Sequence, residues 1–555
     1  MDGTNYWGNE VFPISYKTLP TRRWESRAEW VRFRSWLAPH VKVSVGLLPE
    51  PPRCALRARV FGEWKDADVR CAKVALESLP GIYVTGNLFR PAKSARSMPG
   101  MLCPHGHWQD GRLHDHDPRG SIIARCYNLA KLGATVFSYD MIGYNDSCQM
   151  PHGESFPRDV YWGLNQMAAQ TWNSIRALDF LLELPGVDAR RIGVTGASGG
   201  GTQSFILAAV DDRITASAPI CMASSTFHGG CYCENAPLLR VASNNIEIIR
   251  LCAPRPQFLG CCVGDWTQLC RFADLPAIRQ VYALHGAEGR VKDLLVNDSH
   301  NYNREMREAV YAFFLEFFWG RKSAEPAREA EFRRPSMRDR MVWWGREAPA
   351  AIPAGQMRQQ WIARAEAALK PCLKDAEAAR RQLGRLLAHT LVLTEESLAE
   401  AAARPPERVR AGGDRGRLVI EARSKAPHPQ AKDPFFLTFY RAPAADAVHE
   451  ILGLAGQRQG RMSLDGRGAA GPWSLLAAAV SDRVASVAAD VRGFDPERDA
   501  DYAARLDVPC IRQVGGMAAI LAAIGRRPIL LRGATPSMAR LARRYAGANL
   551  LLAES

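Results

Sequence analysis

The sequence predicts an α/β protein: a mostly parallel sheet covered by helices, followed by a smaller α/β lobe at the C-terminus. Three observations predict it. From Gly81 to Phe318, short β-rich runs alternate with amphipathic helical patterns, as in a parallel sheet with crossover helices. A Gly-Ala-Ser-Gly-Gly turn at 196–200 joins a strand to a helix. The stretch "MSLDGRGAAGPWSLLAAAVSDRVASVAAD" (462–490) then repeats the surroundings of that turn at an offset of 270 residues.

The elements follow in order. "GIYVTGNLFRP" is a strand that stops at Pro91, and "GMLCPHGHW" is a strand entering a Gly-containing loop. Thr135–Tyr139 is a strand followed by turn residues. "QTWNSIRALDFLLEL" sets Trp172, Ile175, Leu178 and Leu182 at helical spacing. "RRIGVTG" is a strand, "GGTQSFILAAV" a helix and "ITASAPI" a strand. "PQFLGCCVGD" and "KDLLVND" complete the sheet, and "REMREAVYAFFLEFF" is its closing helix. After Gly320 the chain is charged and linker-like, then helical from about 356 to 403. "PFFLTFY" reads as a strand and "AADAVHEILGLAG" as a helix. The predicted division is 1–325, a catalytic domain with an N-terminal extension; 326–410, a linker and helical segment; and 411–555, the smaller lobe.

The turn carries the chemistry. "GASGG" fits G-x-S-x-G, in which Ser stands at the apex of a sharp strand-to-helix turn and Gly on either side removes clashing Cβ atoms. A Ser hydroxyl becomes a nucleophile when a base takes its proton and an acid orients that base. With Ser198 as nucleophile, the order Ser, acid, His picks out Asp265 after "QFLGCCVG" and His300 after "LLVNDS". Both stand at carboxyl ends of predicted strands, where open α/β sheets build their sites. Glu234 in "CYCENAP" is the rival acid. The oxyanion requires backbone donors. Gly199 is the first expected donor, and His107 in "PHGHW" the second, with Gly106 as its alternative. Trp108, Trp266 and Glu234 are expected to line the substrate site.

Metal chemistry is not expected. "HGHWQDGRLHDHD" offers His105, His107, His114, Asp115, His116 and Asp117, but at no helical two-His spacing. "CYC" (Cys231, Cys233) and "CC" (Cys261, Cys262) are too close for a standard zinc pair. Fourteen Cys in 555 residues are too sparse for a disulfide scaffold and read as reduced, buried thiols. After residue 330, 35 Lys plus Arg face 24 Asp plus Glu, so +11 of the net +15 charge lies there. These Arg residues are dispersed and not interleaved with aromatics, so no nucleic-acid partner is expected. No apolar run reaches membrane-spanning length, and no membrane partner is expected. Met1–Ser15 has neither a basic start nor an apolar core. The expectation is a cytoplasmic protein; a secreted form trimmed of its leader and homo-oligomerisation stay open.

The elbow "GASGGGTQSF", the loop "CPHGHWQDGR", the strand end "YDMIGYNDS", "GGCYCENAP" and "HNYNREMREAVYAFF" together resemble the α/β-hydrolase superfamily. More narrowly, they resemble bacterial acetylxylan-esterase-like proteins of the dienelactone-hydrolase and prolyl-oligopeptidase-type group. The resemblance spans roughly 47–318. It implies an α/β-hydrolase sheet and a Ser-His-Asp esterase without metal or organic cofactor, acting on a small ester or an acylated carbohydrate. It supports Ser198, Asp265, His300 and the "HGHW" loop, and gives no role to "CYCENAP". Two alternatives stand beside the esterase: a prolyl-oligopeptidase-type serine peptidase and a non-catalytic binding or scaffold protein.

In the repeat, Gly196 meets Gly466, Gly201 meets Gly471 and Ser204 meets Ser474. "RPQFLG" meets "RPILLR" at an offset of 272. Agreement over two strands favours an internal duplication. The chemistry does not repeat: Ser198 meets Gly468, the acid position after "PILLRG" has no Asp or Glu nearby, and no His follows His449. The expectation is a degenerate, catalytically inactive α/β-hydrolase-like lobe.

Overall fold

The structure is a computed structural model that describes residues 21–554 except 154–158, 323–326, 375, 415, 425 and 547–548. The leader reading of Met1–Ser15 lies outside the described residues. No helix among the described residues is long and apolar enough to cross a membrane.

The first sheet has nine strands. They are β1 (Arg59–Lys65), β2 (Val69–Leu79), β3 (Ile82–Pro91), β4 (Met98–Leu102), β7 (Thr135–Tyr139), β8 (Val187–Ala197), β9 (Ala216–Ile220), β10 (Gln257–Gly264) and β11 (Val291–Ser299). A two-stranded hairpin, β5 (Asp115–His116) and β6 (Gly120–Ser121), lies apart from it. The order is β1-β2-β3-β7-β4-β8-β9-β10-β11, antiparallel from β1 to β7 and parallel from β7 onward. The antiparallel edge, with the 11-residue β2, and the helix Arg27–Ser44 are among the elements that the sequence reading lacked. β4 is followed in the chain by β7 on one side, while its other neighbour is β8. The order reverses there, and the crevice outside the carboxyl ends of neighbouring strands is where such sheets hold ligands. Helices cover both faces over two apolar layers, one including Trp30, Trp172 and Phe205, the other Tyr127, Tyr311 and Phe314.

The charged stretch after Gly320 is no free tether. Glu329 pairs with the fully buried Arg307 side chain (2.6 Å) and accepts from Tyr311 Oη (2.7 Å). Phe332 stacks on Tyr127 at 4.0 Å. Further on, Val342 and Trp343 N–H donate to Asp146 at 2.8 and 3.0 Å. Arg328 pairs with Glu308 and Arg334 with Asp115, which straps the segment down on the first domain.

The second sheet runs β12 (Val409–Gly412), β13 (Arg417–Ala422), β14 (Met462–Arg467), β15 (Val484–Asp490), β16 (Ile529–Arg532) and β17 (Leu550–Ala553), all parallel except β12. Its pairing repeats that of the first sheet residue for residue. Gly196 opposes Pro219 as Gly466 opposes Ala489, and Gln257 opposes Ser217 as Ile529 opposes Val487. A Cβ at Gly201 would stand 2.6 Å from the Ile220 carbonyl oxygen; one at Gly471 would stand 2.0 Å from that of Asp490. Both glycines let a helix cross the next strand. Arg255 Nη1 donates to the Ile214 carbonyl (2.7 Å) and Nε to that of Cys252 (3.1 Å). Arg527 does the same to Val484 (3.0 Å) and Ile524 (2.8 Å). The turn itself persists too: Ser198 has φ 58° and Gly468 φ 53°. The order differs at one place. β13 is joined to β14 through the helix Pro443–Gly456, and among the described residues only β12 is set beyond β13, so this sheet lacks the switch point that frames the first crevice.

"PFFLTFY" is not a strand. Asp433 Oδ1 accepts from Phe435 N–H (2.9 Å), and Phe436–Phe439 forms one helical turn. Its carbonyls instead serve the first domain: Leu238 N–H donates to Leu437 (2.7 Å) and Arg240 N–H to Thr438 (2.9 Å). The two lobes meet again where Trp162 Nε1 donates to Asp499 (3.0 Å) and Tyr161 Oη to Asp507 (2.8 Å).

A pair of buried imidazoles lies between the first helix and the helical segment. His40 stacks on Trp36 at 4.6 Å, with His389 at 6.0 Å. Burial pushes His40 down to about 4 and His389 to about 3 from an ordinary 6.5, the latter helped by His40. The unfolded chain therefore binds protons that the folded one refuses. This stability is complete above pH 6.5 and is lost as pH falls through about 4. His40 alone accounts for about 3 kcal/mol across that window. Thermal unfolding followed from pH 7 to pH 4 should show a falling Tm, with a shallower slope in His389→Phe. An equal slope in the variant would refute this source of acid sensitivity.

Candidate active site

β8 ends on Ala197, and Ser198 follows in a backbone conformation (φ 58°, ψ −126°) that L-residues rarely adopt. Such strain costs on the order of 1–3 kcal/mol and must be held by its surroundings. Ser198 N–H donates to the Ile220 carbonyl (3.1 Å), and its own carbonyl accepts from Thr202 N–H (2.9 Å), the first bond of the helix Gly199–Val210. A Cβ at Gly196 or Gly200 would stand 2.4 or 2.6 Å from the Pro104 carbonyl oxygen. The loop after β4 thus crosses directly over the elbow, and glycine is what lets it.

That loop is fixed by His105. Met141 N–H donates to its Nε2 (2.9 Å), so Nδ1 holds the proton and donates to the Gly106 carbonyl (2.7 Å). Burial pushes this imidazole down to about 3, so it stays neutral. A Cβ at Gly106 would touch Ser198 Cβ at 3.0 Å and Trp108 Nε1 at 3.4 Å. A Cβ at Gly199 would stand 2.7 Å from His107 Cε1. The residues expected as oxyanion donors, Gly199 with His107 or Gly106, therefore surround Ser198 at the amino end of a helix, where the peptide dipoles favour negative charge.

His300 follows β11, just before the Asn303 cap of the helix Arg304–Trp319. Its Nδ1 lies 2.8 Å from Asp265 Oδ2. Asp265 Oδ1 accepts from Thr267 N–H (2.6 Å) and Oγ1 (2.5 Å), so the buried carboxylate has its other oxygen aimed at the imidazole. Trp266 and Trp108 flank the His300 ring at 4.4 and 5.7 Å, and Phe227 packs on Trp266 at 4.5 Å. Trp108 thus stands between the Gly106 loop, 3.4 Å from where a Cβ on Gly106 would be, and the His300 ring.

Glu234 requires a correction. It was expected beside the substrate and as the rival acid, yet it is buried. Its Oε2 accepts from Gly230 N–H (3.0 Å) and Cys231 N–H (3.2 Å), and its Oε1 from Thr202 Oγ1 (3.4 Å). Burial pushes its carboxyl upward in pKa, with His107 opposing. It braces the wall behind the site. Arg240, fully buried, completes the brace by donating to the Glu234 carbonyl, Asn235 Oδ1 and Asn245 Oδ1, each at 2.9 Å.

The fold divides the His-rich stretch, leaving His114, His116 and Asp110 with donor atoms within 4.8 Å of one another. His114 stacks on Trp108 at 5.1 Å, Asp117 pairs with Arg304 and Arg307, and exposed His116 lies 3.3 Å from Asp110. His107 instead joins His152, Cys231 and Cys233, whose donor atoms all lie within 4.8 Å of one another. The sequence reading missed this group. His152 follows a different strand, and no spacing within one segment signals it. The hydrogen bond with Cys233, and then His107 and His152, hold the Cys231 thiol far below the ordinary range, whereas burial pushes Cys233 up. A second missed group is ionic. Buried Arg112 bridges Asp140 (2.9 Å) and Asp146. Burial raises the Asp140 pKa to about 6 against the pull of Arg112. This links the β7 loop to the strap at Val342.

Residues 130–238 match the family model described as glucuronyl esterase, fungi. A Bacillus subtilis (strain 168) protein, YtaP, named only as a hydrolase, is 27% identical over 32% of this chain and 63% of its own length. Among solved structures, the methylesterase BT1017 is 30% identical over 53% of this chain and 65% of its own, with a TM-score of 0.47. A glucuronoyl esterase from Solibacter usitatus is 16% identical over 53% of this chain and 94% of its own, with a TM-score of 0.39. The chain thus spans somewhat less than two thirds of the length of YtaP and of the methylesterase. With its switch-point crevice, strained Ser198 elbow and Asp265–His300 pair in the order Ser, Asp, His, this chain has the α/β-hydrolase fold.

Proposed function

We propose that the protein is a serine esterase that hydrolyses carboxylic esters on carbohydrates. The observation that carries the reading is the Asp265–His300 hydrogen bond set beside a strained Ser198 elbow. In this mechanism Ser198 Oγ attacks the ester carbonyl carbon and gives its proton to His300 Nε2. Asp265 holds the Nδ1 proton and stabilises the imidazolium. The oxyanion is met by Gly199 N–H and the Gly106–His107 loop. The alcohol leaves with the proton from His300. Water then attacks the acyl-enzyme, His300 takes its proton, and Ser198 is released with the free acid. Trp108 and Trp266 offer apolar faces beside the base, suited to a sugar ring. The description of the matching family model, glucuronyl esterase, adds uronic-acid esters to the acetyl esters expected from sequence.

The test is a panel of p-nitrophenyl acyl esters, acetylated xylan, alkyl esters of glucuronic acid and peptidyl anilides, with fluorophosphonate labelling of Ser198. Turnover of carbohydrate esters, blocked by labelling, is expected. Cleavage of the anilides alone would favour the peptidase. Inactivity on every substrate, with Ser198 unlabelled, would favour the scaffold.

A further inference from the structure

Three loops at the carboxyl edge of the first sheet bring soft ligands to one point. His107 comes from the loop after β4, His152 from the loop after β7, and Cys231 and Cys233 from the stretch after β9. Cys233 Sγ lies 3.1 Å from His107 Nε2, and Cys231 Sγ lies 3.3 Å from His152 Nε2. With Zn–S near 2.3 Å and Zn–N near 2.0–2.1 Å, neighbouring N and S ligands of a tetrahedral zinc stand about 3.5 Å apart. Two edges of such a tetrahedron are therefore within a few tenths of an ångström of their bound length, and no pair of donors exceeds 4.8 Å. We propose that His107, His152, Cys231 and Cys233 form a tetrahedral site for a thiophilic divalent cation, zinc by preference, directly behind the nucleophile elbow.

The surroundings suit a ligand set. His152 Nδ1 lies 2.7 Å from the Ile142 carbonyl and 3.0 Å from Gln166 Nε2. A carbonyl cannot donate, so the shorter contact requires the proton on Nδ1. The Nε2 lone pair is thereby aimed at Cys231. This is the outer-shell contact that orients a metal-bound imidazole. The Cys231 backbone is held by Glu234, and the loop by Arg240. Two thiolates, two neutral imidazoles and a divalent cation sum to zero charge, which a half-buried pocket tolerates. The close spacing of the two Cys, which argued against a zinc motif, ceases to matter once both His ligands arrive from other loops.

The site has a consequence for the elbow. A cation on His107 Nε2 forces the proton onto Nδ1. That atom lies 3.0 Å from where a Cβ on Gly199 would stand, and it has no hydrogen-bond partner among the described residues. His107 is then a positioning residue: the cation fixes its tautomer and the lie of the loop that faces Gly199.

The test is independent of esterase turnover. Full-length protein, purified reduced and without chelators, is measured by inductively coupled plasma mass spectrometry and by exchange with Co²⁺. A single bound ion per chain is expected, with the charge-transfer absorption of cobalt–thiolate bonds. Both should vanish in the Cys231→Ser/Cys233→Ser double variant and persist in Ser198→Ala. Should the double variant misfold, His152→Gln, checked by circular dichroism, serves in its place. Competition with a chromophoric chelator should show its zinc affinity lowered by about tenfold or more. Protein that neither carries nor takes up an ion overturns the proposal. So does zinc affinity unchanged by His152→Gln, or a Cys231–Cys233 disulfide in the reduced preparation.

Discussion

Ser198→Ala is expected to lower kcat on a cleavable carbohydrate ester by about 10⁵-fold or more, with Tm unchanged within about 2 °C. Alanine keeps the Cβ, so the backbone strain at φ 58° is the same in both proteins and only the Oγ is lost. Ser198→Gly tests the strain itself. It should be as inactive as the alanine variant yet more stable by about 1 kcal/mol, because glycine adopts positive φ without a Cβ penalty. The second lobe has this substitution built in, with Gly468 at φ 53°. Steady-state kinetics and thermal melts read both effects. Residual turnover near wild type in Ser198→Ala would place a nucleophile elsewhere and contradict an inactive second lobe.

Asp265→Asn is expected to lower kcat by about 10⁴-fold with KM little changed. The reason lies in Thr267. Its N–H and Oγ1 both donate to Asp265 Oδ1, so the amide oxygen of Asn must stay on that side. The amide NH₂ then faces His300 Nδ1, which must accept. The His300 proton moves to Nε2, the atom that has to take the proton from Ser198. Glu234→Gln should cost far less in kcat and more in stability, since that carboxylate braces Gly230, Cys231 and Thr202. Measuring kcat, KM and Tm for both variants separates the roles. Collapse of kcat in Glu234→Gln alone would reverse the assignment.

Much of this site was legible in the chain because its chemistry is local. A nucleophile elbow must be written as G-x-S-x-G between a strand and a helix, and Asp265 and His300 each follow a strand that reads as one. The errors share a physical origin. "PFFLTFY" has strand composition, but its carbonyls are claimed by Leu238 and Arg240 of the other lobe, so it folds as one helical turn. Glu234 reads as a free acid because the sequence does not show that two backbone amides and a threonine take up its oxygens. The charged segment after Gly320 reads as a linker because the partners of Glu329 lie elsewhere in the chain.

By itself the sequence determined the alternating α/β order, the nucleophile turn, the duplicated strand–turn–helix and the loss of Ser at Gly468. Each is a pattern within one segment, set by periodicity or by what a backbone turn allows. Only the tertiary structure decided that His107, His152, Cys231 and Cys233 converge, that Asp265 and not Glu234 meets His300, and that the second sheet lacks a switch point. Those are relations between loops whose separation in the chain says nothing of their distance in space, because strand order, and not sequence order, sets which loops become neighbours.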